Sequence, residues 1–103
     1  MKYLQGQHIL ILGLGSSGLA MTRWCAQMGA DITVADTRES PANLQVLKSE
    51  LPEVQFKSGP FAANLIEGTS VRAVFASPGL APIETLPVIE AAKAMGLWVG
   101  GEL

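Results

Sequence analysis

An apolar run that ends in a glycine-rich loop is the feature that most constrains how this chain can fold. The run covers residues 8–12, and it is followed by Gly-Leu-Gly-Ser-Ser-Gly at residues 13–18. Gly13 can make the tight turn out of a strand, Gly15 leaves the backbone open to a ligand, and Gly18 lets a helix pack closely. The order of strand, glycine loop and helix therefore predicts the first unit of a parallel α/β sheet.

The start of the helix after this loop is suited to a diphosphate. The first N–H groups of a helix have no acceptor within the helix, and they lie at the positive end of its dipole. We therefore expect a nucleotide diphosphate to lie against the loop residues Gly15, Ser16, Ser17 and Gly18. The alternative is a tight turn that is only structural.

Length and composition favour one α/β domain that spans residues 1–103. Hydrophobic residues make up 49% of the chain and charged residues only 16%, which fits a sheet covered on both faces and excludes disorder. The net charge is −2, and the seven Lys and Arg residues are scattered. Because a nucleic-acid site needs clustered basic residues, we expect no nucleic-acid partner.

Cysteine usage and the N-terminal region predict a cytoplasmic protein. The single cysteine, Cys25, cannot form an internal disulfide and falls in a helical pattern, so we interpret it as a small core residue. The first apolar stretch is broken by Gly13 and Gly15, and it is therefore neither a signal peptide nor a membrane span. We also expect a monomer.

Apolar runs alternate with helical patterns along the rest of the chain, which is typical of βαβ units. The pattern predicts further strands at residues 31–35, 54–57, 71–76 and 97–99. It predicts helices at residues 17–28, between Pro41 and Pro52, near residues 61–67, and between Pro87 and Gly96. With right-handed crossovers, these elements predict a Rossmann-like, doubly wound sheet of order 3-2-1-4-5 with helices on both faces.

Side-chain periodicity suggests which residues of these elements are structural. Ala20, Trp24 and Met28 recur at helical spacing and predict the apolar face of the first helix. Trp24 and Trp98 are accordingly expected to be core or interface residues. His8 begins a strand at the edge away from the expected ligand, so a structural or solvated imidazole is favoured over a catalytic one.

Three segments are predicted to meet at the carboxyl ends of strands one, two and four, where such sheets bind ligands. They are residues 13–18, the segment Asp36-Thr37-Arg38, and the segment Ser77-Pro78-Gly79. Asp36 lies 18 residues after Gly18, close to the offset of about 20 residues at which NAD-binding domains place an acidic ribose ligand. On spacing alone, NAD is indicated. Asp36 as a solvated strand end and Arg38 as an ordinary exposed charge remain open.

The chain resembles the N-terminal domain of the Mur ligases over essentially its whole length, most closely the members that add D-glutamate. The resemblance is carried by Tyr3-Leu4-Gln5-Gly6, Ile11-Leu12-Gly13-Leu14-Gly15-Ser16-Ser17-Gly18, Asp36-Thr37-Arg38, Ala76-Ser77-Pro78-Gly79 and Val99-Gly100-Gly101-Glu102-Leu103. The glycine loop by itself is not specific to this family, whereas the pair of motifs after strands two and four is more specific to it. The resemblance implies binding of the UDP part of UDP-N-acetylmuramoyl-L-alanine, a peptidoglycan precursor, rather than a dinucleotide.

The resemblance also implies roles for the site residues. Ser16, Ser17 and Gly18 would contact the diphosphate, Asp36, Thr37 and Arg38 would surround the uracil, and Ser77, Pro78 and Gly79 would border the nucleotide. Uracil carries one N3–H donor between two carbonyl acceptors, which a carboxylate and nearby N–H groups can match. Ser16 stands where many family members have a bulkier residue.

The activity that the resemblance implies is an ATP- and Mg²⁺-dependent ligation of D-glutamate. Phosphoryl transfer of this kind uses a Gly-x-x-x-x-Gly-Lys-Ser/Thr loop, and residues 1–103 contain none, nor a Ser-His-Asp set or a metal-ligand spacing. We therefore expect no catalytic or metal-binding residue here, and interpret the chain as the inactive first domain of a longer ligase. ATP, Mg²⁺ and D-glutamate would bind its other domains. The alternative is an NAD(H)-binding domain of an oxidoreductase or redox sensor.

Overall fold

Five parallel strands form one sheet in the computed structural model, which describes residues 4–100. The strands are β1 (His8–Leu12), β2 (Asp31–Asp36), β3 (Gln55–Ser58), β4 (Val71–Ala76) and β5 (Trp98–Gly100). Their order is β3-β2-β1-β4-β5, with every neighbouring pair parallel. The predicted topology is therefore confirmed. Tyr3, Gly101, Glu102 and Leu103, which contribute to the terminal motifs, lie outside the described residues.

Helices cover both faces of the sheet, as predicted. They are α1 (Ser16–Gln27), α2 (Leu44–Glu50) and α3 (Pro82–Ala94), and a 3₁₀ turn covers Ala63–Leu65. Residues of α1 and α2 pack in the core on one face, and residues of α3 and of the segment around the 3₁₀ turn pack in the core on the other. None of the helices within residues 4–100 has the length and apolar character needed to span a membrane.

The central strand supplies side chains to both cores. Leu10 and Leu12 point into the core under α3, whereas Ile9 and Ile11 point into the core under α1 and α2. Successive side chains of a strand face opposite sides of the sheet, so a continuous apolar run is what a sheet covered on both faces requires. The run that precedes the glycine loop therefore fixes β1 in the middle of the sheet.

The buried face of α1 differs from the predicted one. Gly18, Thr22 and Cys25 are buried, whereas Trp24 is 51% exposed and Ala20 is exposed. Small side chains let the helix lie close to the sheet, and the buried Thr22 hydroxyl donates a hydrogen bond to the Gly18 carbonyl at 2.7 Å. The predicted core role of Cys25 is confirmed, and burial raises the pKa of its thiol, which keeps it unreactive.

The last helix and the last strand also correct the sequence interpretation. α3 begins at Pro82, so Pro87 lies inside the helix rather than at its start. The Glu84 carboxylate accepts the Ala81 N–H at 3.4 Å, which supports the earlier start, and Pro82 occupies the first helical position, where its missing N–H costs nothing. Trp98 is 63% exposed on the edge strand β5, which excludes the predicted core role, whereas the predicted interface role stays a prediction.

Other predicted boundaries differ by a few residues. The helix expected near residues 61–67 is only the 3₁₀ turn, and α2 begins at Leu44, three residues after Pro41. The Leu44 N–H donates to the Pro41 carbonyl at 3.0 Å, so the chain makes a turn there before the helix starts.

Candidate functional site

The glycine loop is held at the carboxyl edge of the sheet by backbone hydrogen bonds from both sides. Gly13 has a φ of +92°, a conformation that glycine adopts without strain, and its N–H donates to the Ala35 carbonyl of β2 at 2.7 Å. From the other side, the Ser77 N–H after β4 donates to the Leu12 carbonyl at 3.0 Å. The three segments singled out in the sequence are thus brought together.

Two glycines of the loop have opposite surroundings. A Cβ on Gly18 would overlap the carbonyl oxygen of Gly13 and would lie 3.0 Å from Ser77 Oγ. A Cβ on Gly15 would have no heavy atom within 4 Å, and its φ of −85° and ψ of −166° are open to any residue. Gly18 is therefore required by the fold itself, whereas nothing among residues 4–100 requires Gly15 to lack a side chain.

The first turn of α1 offers backbone donors to the space in front of Gly15. The Leu19 N–H donates to the Gly15 carbonyl at 2.9 Å, which is the first hydrogen bond of the helix. The N–H groups of Ser16, Ser17 and Gly18 precede it and have no acceptor within the helix. Ser16 and Ser17 are exposed, so the arrangement can accept an anion such as a diphosphate.

Asp36 is the buried acidic residue of the site, and its carboxylate is fully occupied. The residue is only 2% exposed. Oδ2 accepts the Leu14 N–H and Arg38 Nη2–H, each at 2.8 Å. Oδ1 accepts the Arg38 backbone N–H and Nε–H, each at 2.9 Å. The carboxylate therefore ties the glycine loop to the segment after β2.

These contacts favour the ionised form of Asp36. The hydrogen bonds from the Arg38 side chain are the largest influence; burial opposes them, and the Leu14 and Arg38 backbone N–H groups add to them. Together they lower the pKa of the Asp36 carboxyl from 3.8 to about 2. Asp36 is therefore a structural anion at neutral pH.

Acid should remove the stabilisation that this carboxylate provides. Its pKa is lower in the folded chain than in the unfolded chain, so the contribution is complete above about pH 4 and is lost as the pH falls towards 2. Because Arg38 is partly exposed, we expect a loss of about 1–2 kcal/mol in the free energy of unfolding. Urea unfolding of the wild type and of Asp36→Asn between pH 5 and pH 2.5 measures this loss as a change in the difference between their free energies of unfolding. A stability difference that did not shrink over this range would contradict the expectation.

In contrast to the buried Asp36, Arg38 is largely exposed. Its side chain is 58% exposed, although Nε and Nη2 are held by the carboxylate. The outer edge and the faces of the guanidinium are therefore open at the rim of the site, and Thr37 beside it is also exposed. This rim can offer hydrogen-bond donors to an acceptor on a ligand.

The segment after β4 combines one buried and two exposed residues. Ser77 is 8% exposed, and its Oγ donates to the Gly13 carbonyl at 3.2 Å, so its hydroxyl braces the glycine loop. Pro78 and Gly79 are exposed, and a Cβ on Gly79 would meet nothing within 4 Å. Only these last two residues present an open surface to a ligand.

Sequence reasoning missed two residues that shape the loop. The Leu14 N–H is held by Asp36, and the Leu14 carbonyl accepts a hydrogen bond from Asn43 Nδ2 at 3.4 Å. A main-chain role such as that of Leu14 leaves no signal in a single sequence. Asn43 directly precedes α2, where its residue type suggests a helix cap, but its side chain makes no capping bond.

A cavity of about 520 Å³ lies at the opposite, amino-terminal edge of the sheet. There His8 bonds Ser70 Oγ through Nδ1 and Thr33 Oγ1 through Nε2, each at 2.8 Å, so its predicted structural role is confirmed. The lining includes the carboxylates of Asp31, Glu50 and Glu53, which disfavour an anionic diphosphate. The carboxyl edge remains the candidate nucleotide site.

Comparison with known proteins assigns a family to this fold and loop arrangement. Residues 7–101 match the family described as Mur ligase MurD-like, N-terminal domain. The chain belongs to this family. The resemblance inferred from the sequence motifs is therefore confirmed.

Individual relatives support the assignment. A UDP-N-acetylmuramoylalanine–D-glutamate ligase of a Polaromonas species is 61% identical over 103 residues, which are 100% of this chain and 18% of the relative. The ligases of the same name from Albidiferax ferrireducens and Cupriavidus pinatubonensis are 60% and 50% identical, over 100% and 97% of this chain and 20% of each relative. The chain thus spans about a fifth of the length of these relatives.

A solved structure shows the same fold in a different kind of protein. A formate dehydrogenase of Granulicella M. matches with a TM-score of 0.60 and 16% sequence identity, over 95% of this chain and 32% of that protein. At this identity the likeness concerns the fold alone. Function has to be inferred from the family and from the site.

Proposed function

We propose that this chain binds the UDP part of UDP-N-acetylmuramoyl-L-alanine, as one domain, residues 1–103, of a longer ligase of peptidoglycan precursor synthesis. The family assignment and the named D-glutamate ligases among its relatives support this proposal. The longer protein would act in the cytoplasm, where it would join D-glutamate to the alanine carboxylate of the precursor. The diphosphate would lie on the loop residues Gly15, Ser16, Ser17 and Gly18.

The observation that carries the choice of UDP over a dinucleotide is the occupied carboxylate of Asp36. In NAD-binding domains the acid at this offset hydrogen-bonds the ribose hydroxyl. Here both oxygens of Asp36 already accept two donors each from Leu14 and Arg38. To bind a ribose hydroxyl, the carboxylate would have to give up a charged partner, which costs about 1.5–3 kcal/mol.

The rim around Asp36 offers donors that suit a pyrimidine instead. Arg38 and Thr37 are exposed and follow Asp36, which holds the glycine loop, so we propose that they would border the base if the diphosphate occupied that loop. Uracil presents two carbonyl acceptors, and the exposed surface of Pro78 and Gly79 would border the nucleotide from the side of β4.

We expect ATP, Mg²⁺ and D-glutamate to bind outside this chain. The sequence has no phosphate-binding loop with its lysine, and among residues 4–100 no three His, Cys, Asp or Glu side chains cluster closely enough for a metal ion. We propose that the remaining four-fifths of the longer ligase holds these components. The 103-residue chain alone would then bind the precursor without joining it to D-glutamate.

Nucleotide titrations test the proposed function. We expect UDP and UDP-N-acetylmuramoyl-L-alanine to bind the 103-residue chain at least about tenfold more tightly than NAD or NADP, since one lost charged hydrogen bond corresponds to that factor or more. Backbone N–H chemical shifts in an NMR titration measure these affinities even when they are weak. Tighter binding of NAD than of UDP would favour the oxidoreductase alternative and reject the proposal.

A further inference from the structure

Strands β4 and β5 are packed by a helix on only one of their two faces within residues 4–100. α3 packs against both strands from one side, whereas α1, on the other side, packs mainly against β1 and β2. Right-handed crossovers cause this asymmetry, because the chain moves outwards from β1 in two opposite directions and places its helices on opposite faces. All-parallel sheets are almost always covered on both faces, so an occupant of this area is expected.

The face of β4 and β5 that lacks a helix carries apolar side chains. Ala73 and Phe75 of β4 are partly buried and pack against the core under α1 and α2. In the register of the two strands, Trp98 of β5 pairs with Ala73, and Gly100 pairs with Phe75. Paired residues of neighbouring strands lie on the same side of a sheet. These four residues therefore form one surface, which we call the bare sheet face.

Trp98 provides most of the exposed apolar area of the bare sheet face. The residue is 63% exposed, and its ring lies over Gly100, where an added Cβ would overlap it. The indole therefore lies along the strand with its outer side open. A tryptophan can bury about 150–250 Å², and tryptophan is enriched in the cores of protein interfaces. Such a side chain beside the partly buried Phe75 is typical of a surface that another segment covers.

We propose that the bare sheet face is the docking surface for the segment of the longer ligase that directly follows β5, and that this segment packs as an amphipathic helix on Trp98 and Phe75. This inference rests on the proposed function, because it takes the chain as one domain of a longer protein. The matched family is described as an N-terminal domain, and about four-fifths of each named relative lies outside the match. The further chain would therefore continue from β5, the strand that carries Trp98.

The handedness of the fold limits how a following segment can reach this face. A further right-handed βαβ unit beyond β5 would place its helix on the side of α3. A segment that turns back across β5 and β4 would instead cover the bare sheet face. The residues directly after β5 are the best placed to do so, because consecutive elements of a compact domain are usually joined by short connections. A helix with one apolar stripe matches a surface of this kind.

Hydroxyl-radical footprinting read by mass spectrometry tests the inference on three proteins. They are the 103-residue chain, the same chain extended by about 30 of the residues that follow it in the longer ligase, enough for a connection and a helix of ordinary length, and the whole ligase. We expect the oxidation rate of Trp98 to fall about fivefold in both longer proteins, as a side chain that is 63% exposed becomes part of an interface core. Ile83, which is 76% exposed on α3, is the matched control and should keep its rate in the extended chain.

Substitution of the same two residues gives a second readout. Trp98→Ser should lower the midpoint of thermal unfolding of the extended chain by about 10 °C or more, because it removes a tryptophan that is buried there. The same substitution should change the 103-residue chain little, since Trp98 is exposed in it. Ile83→Ser should have equal effects on the two proteins. Equal effects of Trp98→Ser on both would contradict the inference.

The other possible occupants give different results, and each would overturn the inference. Protection of Trp98 in the whole ligase but not in the extended chain would assign the face to a later part of the ligase. A dimer of the 103-residue chain in sedimentation velocity that Trp98→Ser dissociates would assign the face to a second copy. Trp98 that stays reactive in both longer proteins would leave the face without an occupant in the ligase.

UDP titration of the same proteins separates this inference from the proposed function. An extended chain that binds UDP while Trp98 keeps its oxidation rate would reject the docking surface and leave nucleotide binding intact. Protection of Trp98 in an extended chain that binds no UDP would support the docking surface and reject the nucleotide proposal.

Discussion

Replacing Gly18 with alanine is expected to lower the free energy of unfolding of this chain by about 3 kcal/mol, at the upper end of the usual cost of overpacking. The added Cβ would overlap the Gly13 carbonyl oxygen and press on Ser77 Oγ. The Gly13 carbonyl and Ser77 Oγ are hydrogen-bonded to each other at the carboxyl edge of the sheet, so a shift of either atom disturbs that bond. Alanine favours the helix by about 1 kcal/mol over glycine, which does not offset the overlap.

The matched control for this substitution is Gly15→Ala in the same loop. Its Cβ would meet no atom within 4 Å, and we expect a cost below about 1 kcal/mol, from the poorer helix cap alone. Urea unfolding followed by tryptophan fluorescence compares the two variants with the wild type. Equal stabilities of the two variants would show that the loop can relax around a Cβ at Gly18.

In contrast to Gly18→Ala, which should lower stability, Gly15→Val should abolish nucleotide binding while the chain stays folded. A branched side chain at this position projects into the open space in front of the first turn of α1. It would keep a diphosphate from the N–H groups of Ser16 and Ser17, each worth about 1.5–3 kcal/mol as a bond to a charged acceptor. The expected loss of affinity for UDP is therefore about 100-fold or more.

A graded series makes this result specific to the diphosphate. Gly15→Ala should weaken UDP binding by an intermediate amount, and both variants should weaken the binding of inorganic pyrophosphate in parallel with UDP. NMR titration of the three proteins with both ligands gives the ratios. The loss of one hydrogen bond to a charged group lowers affinity by about tenfold or more. If Gly15→Val bound UDP within about threefold of the wild type, the diphosphate would not lie on this loop.

Together these two glycines separate what the loop does for the fold from what it would do for a ligand. Gly18 is buried against Gly13, and its lack of a side chain is explained by the protein alone. Gly15 faces open space within the described part of the chain, and we propose that a diphosphate approaching the loop there is the reason for its lack of a side chain. The structure shows the stability role at Gly18, and the binding role at Gly15 is the proposal that these substitutions test.

Local patterns in the sequence were enough to predict the sheet and the edge at which the three candidate segments meet. The short apolar run at His8–Leu12, followed by glycines, indicates a strand buried on both faces, and the glycine loop indicates where the first helix starts. Strand order followed from right-handed crossovers. The segments at Asp36 and Ser77 were placed at the correct edge because the carboxyl ends of parallel strands meet there.

Tertiary structure alone decided the features that depend on distances between side chains. The periodicity of α1 pointed to Trp24, but the folded chain buries Gly18, Leu19, Thr22 and Cys25 of this helix instead. The offset of Asp36 suggested a free acid, yet its carboxylate is occupied by Leu14 and Arg38. Sequence spacing shows which residues reach one edge of the sheet, whereas the hydrogen bonds they form there depend on side-chain geometry and burial that only the folded chain defines.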